Sequence, residues 1–367
     1  MHVNGKNVRT VKEDNSMILI ITYLSSFFLL FNSFFNDAFF SKLKKCVYYI
    51  TLILVYIVST FAISSVDYEG YRIYYNEVIT ITNYNYDILY NLFVVTLKYF
   101  NCPFEIFYGI TELLNCILLS VIINLFFTKD TDKYIFLICY LSFTFLLKDL
   151  IQIRNALALK YFFISIYFYS KNHKLKGMIF YLFAIFTHNS LFMFFPIFFI
   201  YKRIKITRLF LFITYAIFAI IYFGNGLALF FMNFINLGGR VGRYFAMLSR
   251  NFDPLSFFHF IRICIYLFFF YFFLRKDDSL LIKFFLCCVI YGYYIRVCLI
   301  DASLLSGRLA ENAYPIESFL LVHILNKKSS NNLKCIKFLF CMLYCVIFIH
   351  MIFNNLDFIN VYKNLIF

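Results

Sequence analysis

The chain has 367 residues, 63% of them hydrophobic and 14% charged, with 54 phenylalanines and a net charge of +15. Soluble domains carry about 25% charged residues, so this composition excludes a soluble globular protein, and the lack of short alternating apolar/polar strands excludes a membrane barrel. The Lys and Arg residues lie in short clusters between apolar runs, where the positive-inside rule puts them, so nucleic acid is not an expected partner.

A polar tail, 1–16, opens the chain. Apolar runs long enough to cross a hydrocarbon core of about 30 Å then follow one another. Spans are predicted near 17–38, 46–66, 105–127, 134–148, 154–170, 207–223, 256–274, 280–299, 308–325 and 335–353. The chain therefore reads as a single polytopic, all-α membrane domain of about ten helices over 1–367. Segment 86–100 is apolar but short, and is expected at the surface or dipping in.

After the second span comes "SSVDYEGYRIYYNEV", Ser64 to Val78. Asp67, Glu69 and Glu77 there are candidate general bases, as carboxylates at a wet membrane edge; the plain alternative is solvated loop acids. Asp130-Thr131-Asp132 is an acid-x-acid pattern in a short inner loop without a nucleotide-binding domain around it, and reads as solvated. The eleven cysteines lie mostly within spans and read as packing residues. No metal site and no cofactor are expected.

Segment 177–201 contains "AIFTHNSLF", with His188 and Asn189 inside an apolar run. If it crosses the membrane once, most Lys and Arg fall outside; if it dips in and returns, most fall inside, as the rule requires. Two half-helices, 177–187 and 190–201, are therefore predicted to meet at His188-Asn189, each reaching about half the membrane. An ionisable residue at such a break is a candidate functional group. The alternative is one long span whose histidine bonds to a neighbouring helix.

In this layout the outer side carries Arg154, Arg240, Arg243, Arg250 and Arg308, with Arg296 near a helix end. Guanidinium binds phosphate with a planar fork, so the set points to a phosphate-bearing ligand at the outer leaflet. The competing explanation is pairing with Asp149, Asp253, Asp301 or Glu311. Arg240 and Arg243 lie in the large outer loop, 224–255, whose aromatics suit either a glycan or a membrane surface.

Three stretches together carry a resemblance: "VDYEGYRIYY", the segment from "IQIRNALALKYFF" to "FAIFTHNSLF", and "GRLAENAYPIESFLL". They resemble the EpsG-like family of polysaccharide polymerases, related to Wzy-type O-antigen polymerases. The matching positions are Arg154-Asn155-Ala156, Thr187-His188-Asn189-Ser190, Asp67 with Tyr71, and Arg308-Leu309 with Tyr314. The arginine and glycine that often precede the family's Asp are missing; Ile63 to Val66 stand there.

The resemblance implies a glycosyltransferase-C-like membrane bundle in a bacterial inner membrane, with its active site on the periplasmic or outer face. It implies a metal-independent polymerase acting on undecaprenyl-pyrophosphate-linked oligosaccharides, and it admits a chain-length regulator as partner. His188 or Asp67 would be the base. Arg154 and Arg308 would hold pyrophosphate, with Arg240 and Arg243 assisting and Tyr71 and Tyr314 as further substrate contacts. A flippase for lipid-linked oligosaccharide would use similar arginines, but no second copy of the Arg154-to-His188 unit is seen. An O-antigen ligase would run nearly the same chemistry. A membrane acyltransferase would want histidines in the inner loops, which hold no convincing set.

Overall fold

The computed structural model describes residues 24, 38–60, 67–80, 87–204, 207–223, 279–299 and 308–326. All regular structure among them is helical. In chain order the helices are α1 (Ala38–Thr60), α2 (Tyr68–Glu77), α3 (Ile88–Tyr99), α4 (Phe104–Phe126), α5 (Asp130–Cys139), α6 (Ile153–Ser170) and α7 (Lys174–Thr187). Then come α8 (Phe195–Ile200), α9 (Arg208–Phe223), α10 (Leu280–Cys298) and α11 (Tyr314–Asn326). Among the described residues, Lys42–Thr60, Phe104–Phe126 and Leu280–Cys298 are long and apolar enough to cross a membrane. The protein is a membrane protein. The predicted spans 256–274 and 335–353, and 17–38 apart from Leu24 and Ala38, lie outside the described residues.

α1 already includes Lys42, Lys44 and Lys45, ahead of the predicted 46, and lysine is a good helix former. Charge marks where a helix leaves the hydrocarbon, not where it ends. α3 has twelve residues, about 18 Å, too short to span. The predicted span 134–148 is α-helical only to Cys139 and continues as a π-helix over Tyr140–Asp149. The wider turn lets two adjacent charged residues, Lys148 and Asp149, both face inward; they are 1% and 3% exposed.

The chain divides into two compact units, one running to Asn189 and the other from Ser190 to Ile324. The first is built around α6, buried along Ile153, Asn155 to Lys160 and Phe162 to Ile166. α4 packs on one side of it and α7 on another, with α1 against α4 and α3 against α7. Asn172, at φ 61°, makes the tight return from α6 to α7. Its N–H bonds the Tyr169 carbonyl and that of His173 bonds Phe168, a Schellman motif with Asn in the left-handed position. α7 then lies close on α6: a Cβ on Gly177 would come 2.4 Å from the Tyr169 ring.

α2 has tyrosines at 68, 71, 74 and 75, one helical stripe, all buried. They pack with Tyr90, Phe104, Phe107 and Tyr108, the Tyr68 ring lying 4.9 Å from Tyr108 and Tyr75 4.9 Å from Phe107. Burial, with Glu105 nearby, raises the Tyr68 phenol above its ordinary range, so it stays neutral. Lys98 on α3 donates to the carbonyls of Tyr75, Asn76 and Val78 at 2.9, 3.1 and 2.8 Å. Those are C-terminal carbonyls that α2 itself leaves unmet. Tyr74 donates to Asn91. α3 is thereby fastened to α2 at both ends, which fixes the residue at its head, Asp87.

The second unit centres on α10, against α8 and α9. A Cβ on Gly292 would lie 2.3 Å from that of Ala313, so small residues set a close crossing ahead of α11. Tyr293 donates to Glu317, Tyr294 to the Thr214 carbonyl at 2.7 Å, and Asn312 to Ser190 at 3.0 Å.

Candidate functional site

Asp87 is the N-cap residue of α3, yet its side chain does not cap that helix. It turns to two other elements. Its Oδ1 accepts the backbone N–H of Asn189 at 3.1 Å. Its Oδ2 stands 3.3 Å from His188 Nδ1 and 3.5 Å from Arg154 Nη1. The three side chains are 10%, 19% and 13% exposed, so these interactions are largely screened from bulk water. The Arg154 guanidinium also lies 5.9 Å from the centre of the Tyr90 ring.

Each partner comes from a chain feature that could hardly be elsewhere. Arg154 is in the first turn of α6, where backbone N–H groups and the helix dipole favour an anion. His188 ends α7 in an extended conformation, φ −155° and ψ 110°, and a 3₁₀ turn over Asn189–Phe194 follows. The helix therefore breaks at His188-Asn189, as the sequence predicts. Side-chain contacts set its register along α6. Ser165 bonds the Gly177 carbonyl at 2.7 Å, and the Phe162–Tyr181 and Tyr161–Phe183 ring pairs continue the same antiparallel register. That register brings His188 opposite the first turn of α6, not halfway along it.

With a carboxylate on Nδ1, that nitrogen carries the proton and donates, and Nε2 is the nitrogen available for proton transfer. The arrangement holds a histidine in one orientation and sets a guanidinium on the same carboxylate oxygen. Such a cluster can accept a proton at one point and stabilise negative charge close by.

Beneath this lies a second buried polar group. Lys160 pairs with Asp149, which also accepts from Tyr140 at 2.7 Å. Lys160 donates to Asn115 at 3.1 Å, and Asn115 donates to the Ile153 carbonyl at 3.3 Å. Glu112, 1% exposed, lies on the same helix as Asn115. Gln152 accepts from both Lys148 and Asn155 at 3.0 Å. This network ties α4, the π-helix and the start of α6 together, and so holds Arg154 in place. It also reassigns Asp149, a possible partner of Arg154 on sequence grounds, to Lys160.

Of the residues singled out from sequence, His188 and Arg154 come together. Tyr71 is buried 6.3 Å from the Tyr90 ring, one ring removed from Arg154. Asp67 stands at the head of α2 and its carbonyl accepts the Tyr71 N–H at 2.9 Å. Arg308, exposed, and Tyr314, 5% exposed, belong to the second unit. Arg240 and Arg243 lie outside the described residues, as do Arg250, Asp253 and Asp301. Asp87 escaped the sequence reading. Its one visible signal is an acid directly ahead of an apolar helix too short to span. Among the described residues, no three His, Cys, Asp or Glu side chains gather as a metal site requires.

The family model described as the EpsG family matches residues 45–364, and the chain belongs to that family. No curated protein and no solved structure matches it.

Proposed function

We propose, from the premise of EpsG membership, that this protein polymerises lipid-linked oligosaccharide repeat units, with Asp87, Arg154 and His188 at the reaction centre. Family membership supports a polysaccharide polymerase role. The observation that carries the site is the shared Asp87 carboxylate, which joins a histidine and an arginine from different helices. The substrates are glycans on undecaprenyl pyrophosphate: the growing chain as donor and a single repeat unit as acceptor. The reaction sits at the outer face of a bacterial inner membrane, in a glycosyltransferase-C-like bundle of about ten spans.

A hydroxyl of the acceptor's terminal sugar attacks the anomeric carbon of the donor. The new C–O bond forms as the anomeric C–O bond to pyrophosphate breaks. The electron pair leaves with undecaprenyl pyrophosphate, and the hydroxyl proton passes to His188 Nε2. Asp87 is a positioning residue: it keeps the imidazole in one tautomer and stabilises the imidazolium that forms. Arg154 and the α6 N-terminus meet the negative charge gathering on the departing pyrophosphate. Fixed cations of this kind can do so without a metal. Arg308, Arg240 and Arg243 are further candidate pyrophosphate ligands and Tyr71 and Tyr314 further candidate substrate contacts. Asp67 is the alternative base.

The test is reconstitution of the full chain in liposomes with a purified lipid-pyrophosphate-linked repeat unit. A product ladder that persists in excess chelator is expected. A single-step product on lipid A core would indicate a ligase, and movement of substrate across the bilayer without elongation a flippase. Loss of the ladder with chelator would overturn metal independence.

A further inference from the structure

The buried network around Lys160 contains one carboxyl that the proposed reaction does not use. Glu112 lies on the inward face of α4, in a helix long enough to cross a membrane, and is 1% exposed. Among the described residues, neither of its oxygens has a hydrogen-bond partner. Its polar neighbours are Asp149 from the π-helix, Lys160 from α6, Ser59 from α1 and Asn115 one turn along its own helix. Tyr140 and Cys116 are the other titratable groups among the described residues that face it. The donors around it point elsewhere. The Ser59 hydroxyl donates to the Val55 carbonyl at 2.6 Å, and the Cys116 thiol to that of Leu52 at 3.2 Å. Lys160 donates to Asp149 and Asn115, and Tyr140 to Asp149. Two carboxyls therefore share an interior in which Lys160 is the cation that acts on both, and Asp149 has it. An ionised carboxylate without a hydrogen bond in an apolar interior is so costly that the group takes up a proton instead.

We propose that Glu112 is held as a neutral carboxylic acid and serves as the reserve counter-ion of Lys160, so that α4 and the π-helix share one proton between two carboxyls. The exchange is internal. The O–H bond at Glu112 breaks, an O–H bond forms at Asp149, and the Lys160 ammonium shifts from Asp149 to Glu112, with no change in net charge. Its consequence runs through Asn115, which accepts from Lys160 and donates to the carbonyl of Ile153, the residue ahead of Arg154. With the proton on Glu112, Lys160 holds Asn115, and Asn115 holds the head of α6. With the proton on Asp149, Lys160 is drawn from that arrangement and Arg154 loses part of its support. The pair is a two-state element built into the membrane domain. It stands whether or not the Asp87 cluster makes polysaccharide.

The experiment is infrared spectroscopy of the purified full chain in liposomes, where the C=O band of a neutral carboxylic acid stands apart from that of a carboxylate. The parent-minus-Glu112→Gln difference is expected to contain a neutral-acid band and no carboxylate band. A carboxylate band in its place would overturn the proposal. Asp149→Asn removes the first anion of Lys160, so Glu112 should ionise there. Comparing Asp149→Asn with the double variant Glu112→Gln/Asp149→Asn should then show a carboxylate at position 112. A neutral acid persisting in that background would end the reserve role. Thermal unfolding gives a second readout. Glu112→Gln should melt with the parent and Asp149→Asn somewhat below it. The double variant should fall by more than the two single shifts together, because it leaves Lys160 with no carboxylate. A double variant that fails to accumulate while both singles do is the same non-additivity; additive shifts would count against the shared proton. Recording the parent in sodium and in choline salts separates a proton from a bound metal cation. The neutral-acid band should be equal in both, and its loss in sodium would overturn the proton assignment.

Discussion

Asp87 serves two masters, and the distinction between them can be measured. It could be a clamp that holds α3 to α6 and α7, or it could hold Arg154 and His188 for chemistry. A hydrogen bond to a charged group contributes about 1.5–3 kcal/mol, and each ~1.36 kcal/mol is tenfold in rate. Arg154→Ala is therefore expected to lower repeat-unit transfer by roughly a hundredfold or more. Arg154→Lys keeps the charge, loses the fork, and should recover only a small part. Asp87→Asn leaves His188 without its anion and should lower the chemical step by about tenfold to a hundredfold. All three variants should accumulate normally in membranes and melt near the parent. Full rescue by lysine, or activity losses that only follow abundance, would make the cluster a clamp. Arg154 and His188 were legible in the sequence because an ionisable group in an apolar run is rare and needs a reason. Asp87 was not, because it sits among ordinary polar loop residues and meets His188 across 101 positions of chain. No local spacing encodes that meeting.

The helices reveal what supports the cluster. Lys160 and Asp149 are 1% and 4% exposed at their side chains, so each charge depends on the other. Lys160→Met strands a buried carboxylate and should cost about 3–5 kcal/mol. Replacing both, Lys160→Met with Asp149→Leu, should restore more than half of that, read as the midpoint of thermal unfolding in detergent. A double variant no more stable than the single would mean the pair is not an isolated charge balance. Two glycines make a matched contrast. Gly177→Ala pushes a methyl into the Tyr169 ring, whose near atoms cannot swing away, and should destabilise by about 1–3 kcal/mol. Gly70, also helical, has nothing within 4 Å of a Cβ, and Gly70→Ala should stabilise by about 0.5–1 kcal/mol. Equal effects would argue against the close α6–α7 approach. Helices 104–126, 153–170 and 280–298 and the break at His188 could be read from apolar length and one misplaced histidine. The π-helix could not: it follows from where Lys148 and Asp149 find partners, which is a property of neighbouring helices and not of the segment itself.

At the scale of the whole molecule, the direction of the chain after His188 decides the sidedness of every later loop. α6 has 18 residues, about 27 Å, and α7 returns along it until His188 stands level with Arg154. If Arg154 is at the outer surface, then α7 has already climbed most of the membrane. A second climb from Asn189 would carry the apolar residues Leu191 to Ile200 out into water. The positive-inside rule predicts instead that the segment after Asn189 returns inward, as a hairpin with its bend near the outer face. The charge pattern agrees, since Lys174 and Lys176 precede the hairpin while Lys202, Arg203 and Lys205 follow it. The prediction is that Lys176→Cys and Lys202→Cys, each in a chain with its eleven native cysteines replaced, react with a membrane-impermeant maleimide only from the cytoplasmic side. Asn189→Cys, at the bend, should react from the outside. Labelling of positions 176 and 202 from opposite sides would replace the hairpin by a single crossing and invert the second half of the molecule. The proposed reaction centre would survive that inversion, since Asp87, Arg154 and His188 all precede it in the chain.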